Sequence, residues 1–190
     1  YYIFRRAQTN ALDIDVTGLD ISANYQFDTA VGQFNIGGSV TQFLRFMQAY
    51  GGGAKYSIIN SVGINSTFPS IARQARLNAG WVMGDYSLNV YMNNVGGHKN
   101  WGGGTINPLI LDTNGNVSGG GDYVQSWTTF DLHGSWNFSH EGMLGDSEVY
   151  IDANNIFNEA PPFFNNSSGY DSFGANPLGR VLSLGIRARW

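Results

Sequence analysis

Three residues at alternate positions have the side chains that nucleophilic catalysis uses. Asp131, His133 and Ser135 are each two residues apart, and a serine nucleophile needs a histidine base that a third group orients. Residues i and i+2 of a β-strand lie roughly 7 Å apart at their Cα atoms, so their side chains can touch. The spacing defines one candidate hydrolytic site, which depends on the strand that carries it.

The sequence evidence for a metal site is weaker than that for the hydrolytic site. Asp112, Asn114 and Asn116 begin like a calcium-binding loop. Such a loop needs Gly at its sixth position and Glu at its twelfth, where this chain has Val117 and Tyr123, so we interpret the segment as an exposed turn. The histidines lack metal-ligand spacing and are expected to be polar surface or lumen residues: His98, His133 and His140. The sequence predicts neither a metal nor a cofactor.

The composition favours an all-β chain. Of 190 residues, 42% are apolar and only 13% are charged, while Gly accounts for 26, Phe for 12, Tyr for 10 and Trp for 5. Glycine weakens helices and aromatic residues favour strands. No run approaches the roughly 18 apolar residues that a membrane-spanning helix needs. A net charge of −4 with only 10 Lys and Arg argues against nucleic-acid binding, and the lack of Cys excludes a disulfide framework.

Seven segments alternate apolar and polar side chains with a period of two. In the last of them, Leu182, Leu184 and Ile186 alternate with small or charged residues. This alternation indicates a strand with lipid on one face and water on the other, and aromatic and cationic residues at its end are typical of an outer-membrane barrel. The predicted strands are residues 19–27, 33–47, 71–83, 86–95, 126–138, 147–157 and 179–190.

The connections between these strands are alternately short and long. The Gly84-Asp85 step predicts a tight hairpin, because Gly takes a positive φ at little cost. Outer-membrane barrels have short periplasmic turns and long extracellular loops. The asymmetry therefore predicts an antiparallel up-and-down transmembrane β-barrel with Trp190 at its periplasmic rim and with outer loops centred near residues 60, 110 and 168. The predicted connections are residues 28–32, 48–70, 84–85, 96–123, 139–146 and 158–177.

Five segments carry a family signal: Gly18–Tyr25, Thr129–His133, Asp152–Phe163, Gly169–Asp171 and Ala175–Arg180. Together with the terminal strand they resemble the C-terminal part of TonB-dependent receptors, the outer-membrane active transporters for scarce nutrients. The resemblance covers most of the chain from about residue 16 onward. It implies a barrel of about 22 strands closed by an N-terminal plug. Residues 1–190 would supply about seven of these strands, and the plug and the TonB box would lie in a missing N-terminal region.

The resemblance also implies a function and partners. The receptor would bind a nutrient at its extracellular loops and import it to the periplasm of a Gram-negative bacterium, without acting as an enzyme. Its partners would be outer-membrane lipid and lipopolysaccharide, its own N-terminal barrel and plug, the TonB complex and the barrel-assembly machinery, but no nucleic acid. The recognition signal for that machinery is matched by Ser183, Gly185, Ala188 and Trp190.

Two predicted loops mix aromatic side chains with amides and hydroxyls. Such a mixture can stack on a sugar or an aromatic ligand and hydrogen-bond to it. The nutrient itself stays open between a siderophore, a vitamin, an oligosaccharide and a peptide. The candidate ligand-contacting residues are His98, Lys99, Trp101, Asn165, Asn166, Tyr170 and Asp171.

The strand that carries His133 and Ser135 argues against catalysis. An outer-membrane phospholipase family places such a pair on the lipid-facing side of a strand, whereas Phe130, Leu132 and Trp136 occupy that side here. We interpret the polar side as a hydrated lumen wall. Its acidic residues would contact the plug or guide a charged ligand; they are Asp20, Asp131, Glu148 and Asp152.

Two alternatives stay open. One is an autonomous barrel of eight strands with a structural or adhesive role, in which residues 1–7 supply the eighth strand. The interior of such a barrel is filled by side chains, but the inward positions here are mainly Ser, Asn, Gly and Asp, which suit a wider and wetter lumen. The other is a soluble secreted β-sandwich or carbohydrate-binding module.

Overall fold

The computed structural model describes residues 11–61, 70–100, 107–111, 113, 117–121, 123–139 and 146–189, with the backbone alone for residues 107–111, 117–121, 139 and 189. Within these ranges the chain forms strands and turns, and no helix is long and apolar enough to cross a membrane. In chain order, β1 to β12 are Leu12–Thr29, Gly32–Tyr50, Tyr56–Ser57, Arg73–Met83, Tyr86–Val95, His98–Lys99, Asn107–Leu111, Val117–Gly121, Tyr123–Val124, Trp127–Ser139, Asp146–Asn154 and Val181–Arg189.

Seven long strands form one antiparallel sheet in which each pairs with the next long strand along the chain. The order is β1, β2, β4, β5, β10, β11 and β12, which confirms the predicted all-β, up-and-down arrangement. Short pieces pair within the long connections: β3 with the end of β2, β6 with β9, and β7 with β8. The sequence does not predict these pieces, because segments of two to five residues are too short to show a period.

The short connections lie at one end of the sheet, called here the turn end, and the long connections lie at the other, the loop end. Between β4 and β5, Gly84 has a φ of 56° in a two-residue turn with Asp85, as predicted. Between β1 and β2, Gly32 has a φ of 117°, and the Thr29 hydroxyl donates to its carbonyl at 2.7 Å. The third short connection, residues 140–145, lies outside the described residues.

The pairing register separates an apolar face from a polar face. Directly paired residues of adjacent antiparallel strands point to the same face. One row crosses the whole apolar face: Tyr25, Ile36, Ala79, Val90, Leu132, Ala153 and Leu182. A neighbouring row crosses the whole polar face: Gln26, Asn35, Gly80, Asn89, His133, Asp152 and Ser183.

Aromatic rings line the apolar face beside the turn end. Phe27 stacks on Phe34 with their ring centroids 5.5 Å apart. Trp136 lies between Tyr86 and Phe138, at centroid distances of 6.3 and 4.9 Å. These residues form the border of the apolar face, which we call the aromatic rim.

The apolar face ends at a β-bulge toward the loop end. The register between β1 and β2 shifts beside Gly18. Beyond the bulge, alternate positions of β1 that continue the apolar face carry Asp13 and Asp15. They form ion pairs with Lys55 and Arg45 at 3.1 and 2.9 Å, respectively. The side chains on this face therefore change from apolar to charged within two residues of the bulge.

Several strands differ from their predicted extents, and β1 differs most at its start, since it begins at Leu12 instead of residue 19. β11 ends at Asn154, because Asn155 turns into the left-handed region with a φ of 50°. Phe157, predicted to lie in the strand, follows it instead and is 70% exposed. Its ring still packs on the apolar face, edge-on to Phe130 at a centroid distance of 5.4 Å.

We expect Gly84→Ala to destabilise the sheet and Gly134→Ala to leave it intact. A Cβ at Gly84 meets nothing within 4 Å, but its φ of 56° costs a non-glycine residue about 1–2 kcal/mol. Gly134 has no positive φ, and a Cβ there makes ordinary contacts at 3.6 Å with Ile151 and Leu88. Urea titration of the refolded variants measures both free energies of unfolding. Equal losses would contradict the assigned turn.

Candidate functional site at the loop end

The three long connections meet at the loop end of the sheet. They are loop A, residues 51–72, loop B, residues 96–126, and loop C, residues 155–180. The Lys99 amide of loop B donates to the Asn60 carbonyl of loop A at 2.8 Å. On its other side, loop B contacts loop C, where Asn100 Oδ1 accepts from the Asn165 amide at 2.5 Å. Loop B is thus the bridge between the other two.

A small apolar core fixes this arrangement. Ile71 of loop A, Val124 of loop B and Phe164 of loop C are 2%, 1% and 3% exposed, and Val95 at the end of β5 packs against them. Each loop contributes one side chain. Because burying apolar surface is the main driving force for packing, the loops stabilise one another.

Loop C has no regular strand and is held by side chains that bind its own backbone. Asn155 accepts from the Glu159 amide and donates to the Glu159 carbonyl, both at 2.9 Å. Near the other end of the loop, Asn158 Oδ1 accepts from the Arg180 amide at 2.9 Å. Asn and Asp side chains often replace backbone partners in this way. These bonds fix the path that brings loop C over the sheet.

That path places Asp171 of loop C beside His98 of loop B. Both residues are 3% exposed, and His98 Nε2 lies 3.4 Å from Asp171 Oδ2. The Phe164 ring covers the imidazole at a centroid distance of 5.8 Å. Burial lowers the pKa of His98 below its ordinary value of 6.5, and the Asp171 carboxylate and the Gly96 carbonyl oppose that shift without cancelling it. The imidazole is therefore mostly neutral at pH 7.

The structure divides the predicted ligand-contacting residues into two groups. Those in the contact between loops B and C are His98, Asn165 and Asp171. The second group is Lys99, Asn166 and Tyr170, of which Asn166 is exposed and the other two are half-buried. Within this group, Asn166 Nδ2 donates to the Tyr170 carbonyl at 3.0 Å. Trp101 lies outside the described residues, as do His140 and the calcium-like segment at Asp112, Asn114 and Asn116.

Sequence reasoning missed two polar residues of this contact. Asn100 is 1% exposed and holds loop C, and Trp127 at the start of β10 has a buried indole nitrogen. Asn100 lies beyond the alternating segments, so no pattern distinguishes it from a surface amide. Trp127 lies at the edge of a predicted strand. The alternation of apolar and polar residues does not show that loop C packs beside its side chain.

The polar face of the sheet carries the candidate hydrolytic residues, but in separate pairs. His133 Nδ1 lies 2.7 Å from Asp152 Oδ1 on the neighbouring strand. The Ser135 hydroxyl is 2.8 Å from that of Ser87. Asp131 instead accepts hydrogen bonds from residues of two other segments. Each of the three residues therefore bonds to a partner outside the triplet, and the hydrogen-bonded chain of acid, base and nucleophile that the spacing suggested does not appear among these contacts.

The other acidic residues that the sequence places on this face also bond across strands. Thr41 donates its hydroxyl to Asp20 at 2.6 Å. Arg187 donates to Glu148 at 2.6 Å. All four acidic residues thus have partners on the polar face, and the face is a hydrogen-bonded surface rather than a row of isolated charges.

The residues that match the assembly signal lie on the edge strand β12. Ser183, Gly185 and Ala188 are described there, whereas Trp190 is outside the described residues. The ring of Tyr150 on β11 lies so close to Gly185 that a Cβ there would collide with it. A larger residue at this position would therefore require the end of the Tyr150 side chain to move.

Among the residues that the structure describes, no three His, Cys, Asp or Glu side chains are grouped as ligands for a metal ion. No protein-family model matches the chain, and neither a curated protein nor a solved structure does. Any functional interpretation therefore rests on the residues and their geometry.

We expect the contact between loops B and C to weaken in acid. The pKa of His98 is lower in the folded than in the unfolded chain, so the unfolded chain binds the proton first. The resulting stability is present above the unfolded pKa, about 6.5, and is lost as the pH falls through the folded pKa. Amide hydrogen exchange, corrected for intrinsic rates, should show less protection at Lys99 and Asn165 at about pH 5 than at about pH 7.5.

A His98→Gln variant is the control, because its side chain does not titrate in this range. Its exchange protection should change much less between the two pH values. Unchanged protection in the natural protein would contradict the role given to His98.

Proposed function

We propose that the chain is part of the wall of a TonB-dependent outer-membrane receptor, which binds a scarce nutrient outside and imports it to the periplasm. The observation that carries the proposal is the separation of an exposed apolar face from a polar face across seven consecutive antiparallel strands. A water-soluble sheet buries such a face against a second layer. A bilayer supplies that apolar partner itself.

The extent of the apolar face supports a bilayer environment. Between the bulge beside Gly18 and the aromatic rim, residues 19–27 cover about 26 Å along β1 at roughly 3.3 Å per residue. At a tilt of about 40°, this is about 20 Å of membrane depth, near the ~25 Å apolar band of outer-membrane barrels. Within the face, Ile21, Leu184 and Ile186 are 63%, 76% and 73% exposed.

The two borders of this face support an orientation. Aromatic residues are enriched at membrane interfaces, and short turns lie on the periplasmic side of outer-membrane barrels. The aromatic rim with the turn end would therefore lie at the periplasm. The ion pairs of Asp13 and Asp15 with Lys55 and Arg45 would lie above the outer leaflet, and loops A, B and C would face outside.

The sheet edges and the polar face support a large barrel. Among the described residues, β1 and β12 each lack a partner on their outer edge, and open edges do not occur in hydrocarbon. Further strands would therefore close the wall. The row across the polar face includes small polar groups such as Asn35, Gly80 and Asn89, which suit a wide, wet lumen better than the filled interior of a narrow barrel.

The proposed mechanism gives each surface a separate task. Loops A, B and C would meet the nutrient first, and exposed residues such as Asn166 lie on their surface. The polar face would contact the plug. Pairs such as His133 and Asp152, whose side chains are 34% and 36% exposed, can make such contacts and still bond to each other. The wall itself performs no covalent step. Energy would enter through the plug and the TonB complex.

Arginine substitutions on the two faces of β12 test the membrane environment. In a bilayer, Leu184→Arg should cost about 2–4 kcal/mol of folding free energy, because the side chain would lie in hydrocarbon. Ser183→Arg on the polar face should cost much less, since Asp152 is its cross-strand neighbour. Urea titration of the natural protein refolded in lipid vesicles measures both. Leu184 is 76% exposed. If that exposed side chain faced water instead of lipid, both substitutions would change the free energy of unfolding by no more than about 0.5 kcal/mol, and the proposed membrane environment would be wrong.

Fractionation of the natural protein tests the receptor itself. We expect it in the outer membrane, with heat-modifiable migration on gels and an intact mass several times the 20.7 kDa of this chain. A natural polypeptide near that mass would favour the small autonomous barrel instead. A monodisperse product obtained without detergent would contradict any membrane function.

A further inference from the structure

Three buried polar atoms at the loop end have no hydrogen-bond partner within the described part of the chain. They are His98 Nε2, Asp171 Oδ2 and Trp127 Nε1. Leaving a buried polar group unpaired costs about 1–3 kcal/mol, and most such groups in folded proteins have a protein or water partner. Three of them in one region therefore indicate a shared partner.

The three side chains line a single cavity. It lies between loops B and C and the ends of β5 and β10, and Val95, Pro162 and Gly174 also line it. The centre of a water-sized sphere can move within ≈ 10 Å³ there, about the minimum that one buried water needs. The cavity is thus too small for a nutrient or an amino acid.

The hydrogen-bonding roles of the three atoms depend on which nitrogen of His98 carries the proton. His98 Nδ1 lies 3.4 Å from the Gly96 carbonyl and Nε2 lies 3.4 Å from Asp171 Oδ2, so the neutral imidazole can donate to only one of them. The site proposed below has the proton on Nδ1. Nε2 is then an acceptor, and so is the Asp171 carboxylate oxygen that faces it at 3.4 Å. The indole N–H of Trp127 can only donate. Two acceptors and one donor therefore line the cavity, and the acceptors cannot bond to each other.

We propose that these side chains form a binding site for one buried water molecule. The water would donate its two hydrogens to His98 Nε2 and Asp171 Oδ2 and accept from Trp127 Nε1. One water molecule satisfies all three atoms, whereas an ion does not. An ammonium or metal cation would be repelled by the indole N–H, and an anion would be repelled by the carboxylate.

The site joins three separate parts of the chain. His98 belongs to loop B, Asp171 to loop C and Trp127 to the first position of β10. Asp171 Oδ1 accepts from the Phe173 amide at 2.9 Å, and Oδ2 is the oxygen that has no partner within the described residues. The water completes the contact between loops B and C, and this role does not depend on what the protein transports.

Nuclear magnetic resonance of the natural protein in detergent, with ¹⁵N-labelled Trp and His, tests the proposal. The Trp127 indole proton should show a nuclear Overhauser cross-peak to water. The sign of this cross-peak should be that of a water molecule whose residence time exceeds the rotational correlation time of the protein. Trp127→Phe assigns the signal. Trp81 is the matched control, because its indole donates to the Val31 carbonyl at 2.7 Å and should show no long-lived water.

His98 provides the second readout. Its Nε2 should have the ¹⁵N shift of an unprotonated nitrogen near neutral pH, and Asp171→Leu, which removes one acceptor, should shorten the residence of the water at Trp127. A protonated Nε2 would instead indicate a direct bond to Asp171 and would overturn the proposal. So would loss of the water cross-peak on adding Zn²⁺, or no cross-peak at Trp127 in the natural protein.

Discussion

The register between adjacent strands is the constraint on which the rest of this structure depends. Side chains alternate between faces with a period of two, so a slip of one residue would move an entire strand's apolar set onto the polar face. The row from Tyr25 to Leu182 and the row from Gln26 to Ser183 cross all seven strands without such a slip. Tight turns such as the one at Gly84 fix this register locally, and they leave the long connections to gather at the opposite end.

The contact between the long connections at the loop end is the second packed region of the described structure, beside the sheet. Loops A, B and C contain only short paired pieces. Their contacts with one another depend on Ile71, Val124 and Phe164 and on single bonds such as that from the Asn165 amide to Asn100 Oδ1. The sheet thus determines where the loops start and end, and a few buried side chains determine how they pack. On the proposed receptor, this packing would present a fixed surface to an incoming nutrient.

The strands could be predicted from sequence because their information is local. Alternation in β12 and the Gly84-Asp85 step each act within a few residues, and the structure confirms both. The contact of His98 with Asp171 could not be predicted, because it depends on the geometry of two loops that no period describes. The bulge beside Gly18 was missed for a related reason, since the extra residue shows only when β1 is paired with β2. The candidate loop residues were chosen by type, and their grouping required the fold.

Two histidine and aspartate pairs show why residue type alone does not define a site. His133 and Asp152 lie 2.7 Å apart on the polar face with side chains 34% and 36% exposed, so solvent reaches both of them. His98 and Asp171 have side chains only 4% exposed and stand 3.4 Å apart. There, burial lowers the pKa of His98 and favours the neutral ring, which can donate toward Gly96 or toward Asp171 but not toward both. The buried pair therefore does not behave as a simple ion pair at neutral pH. In the proposed water site the proton lies on the nitrogen nearer Gly96, so the pair needs a third group that donates to both residues. The indole of Trp127 can only donate, so that group must also accept.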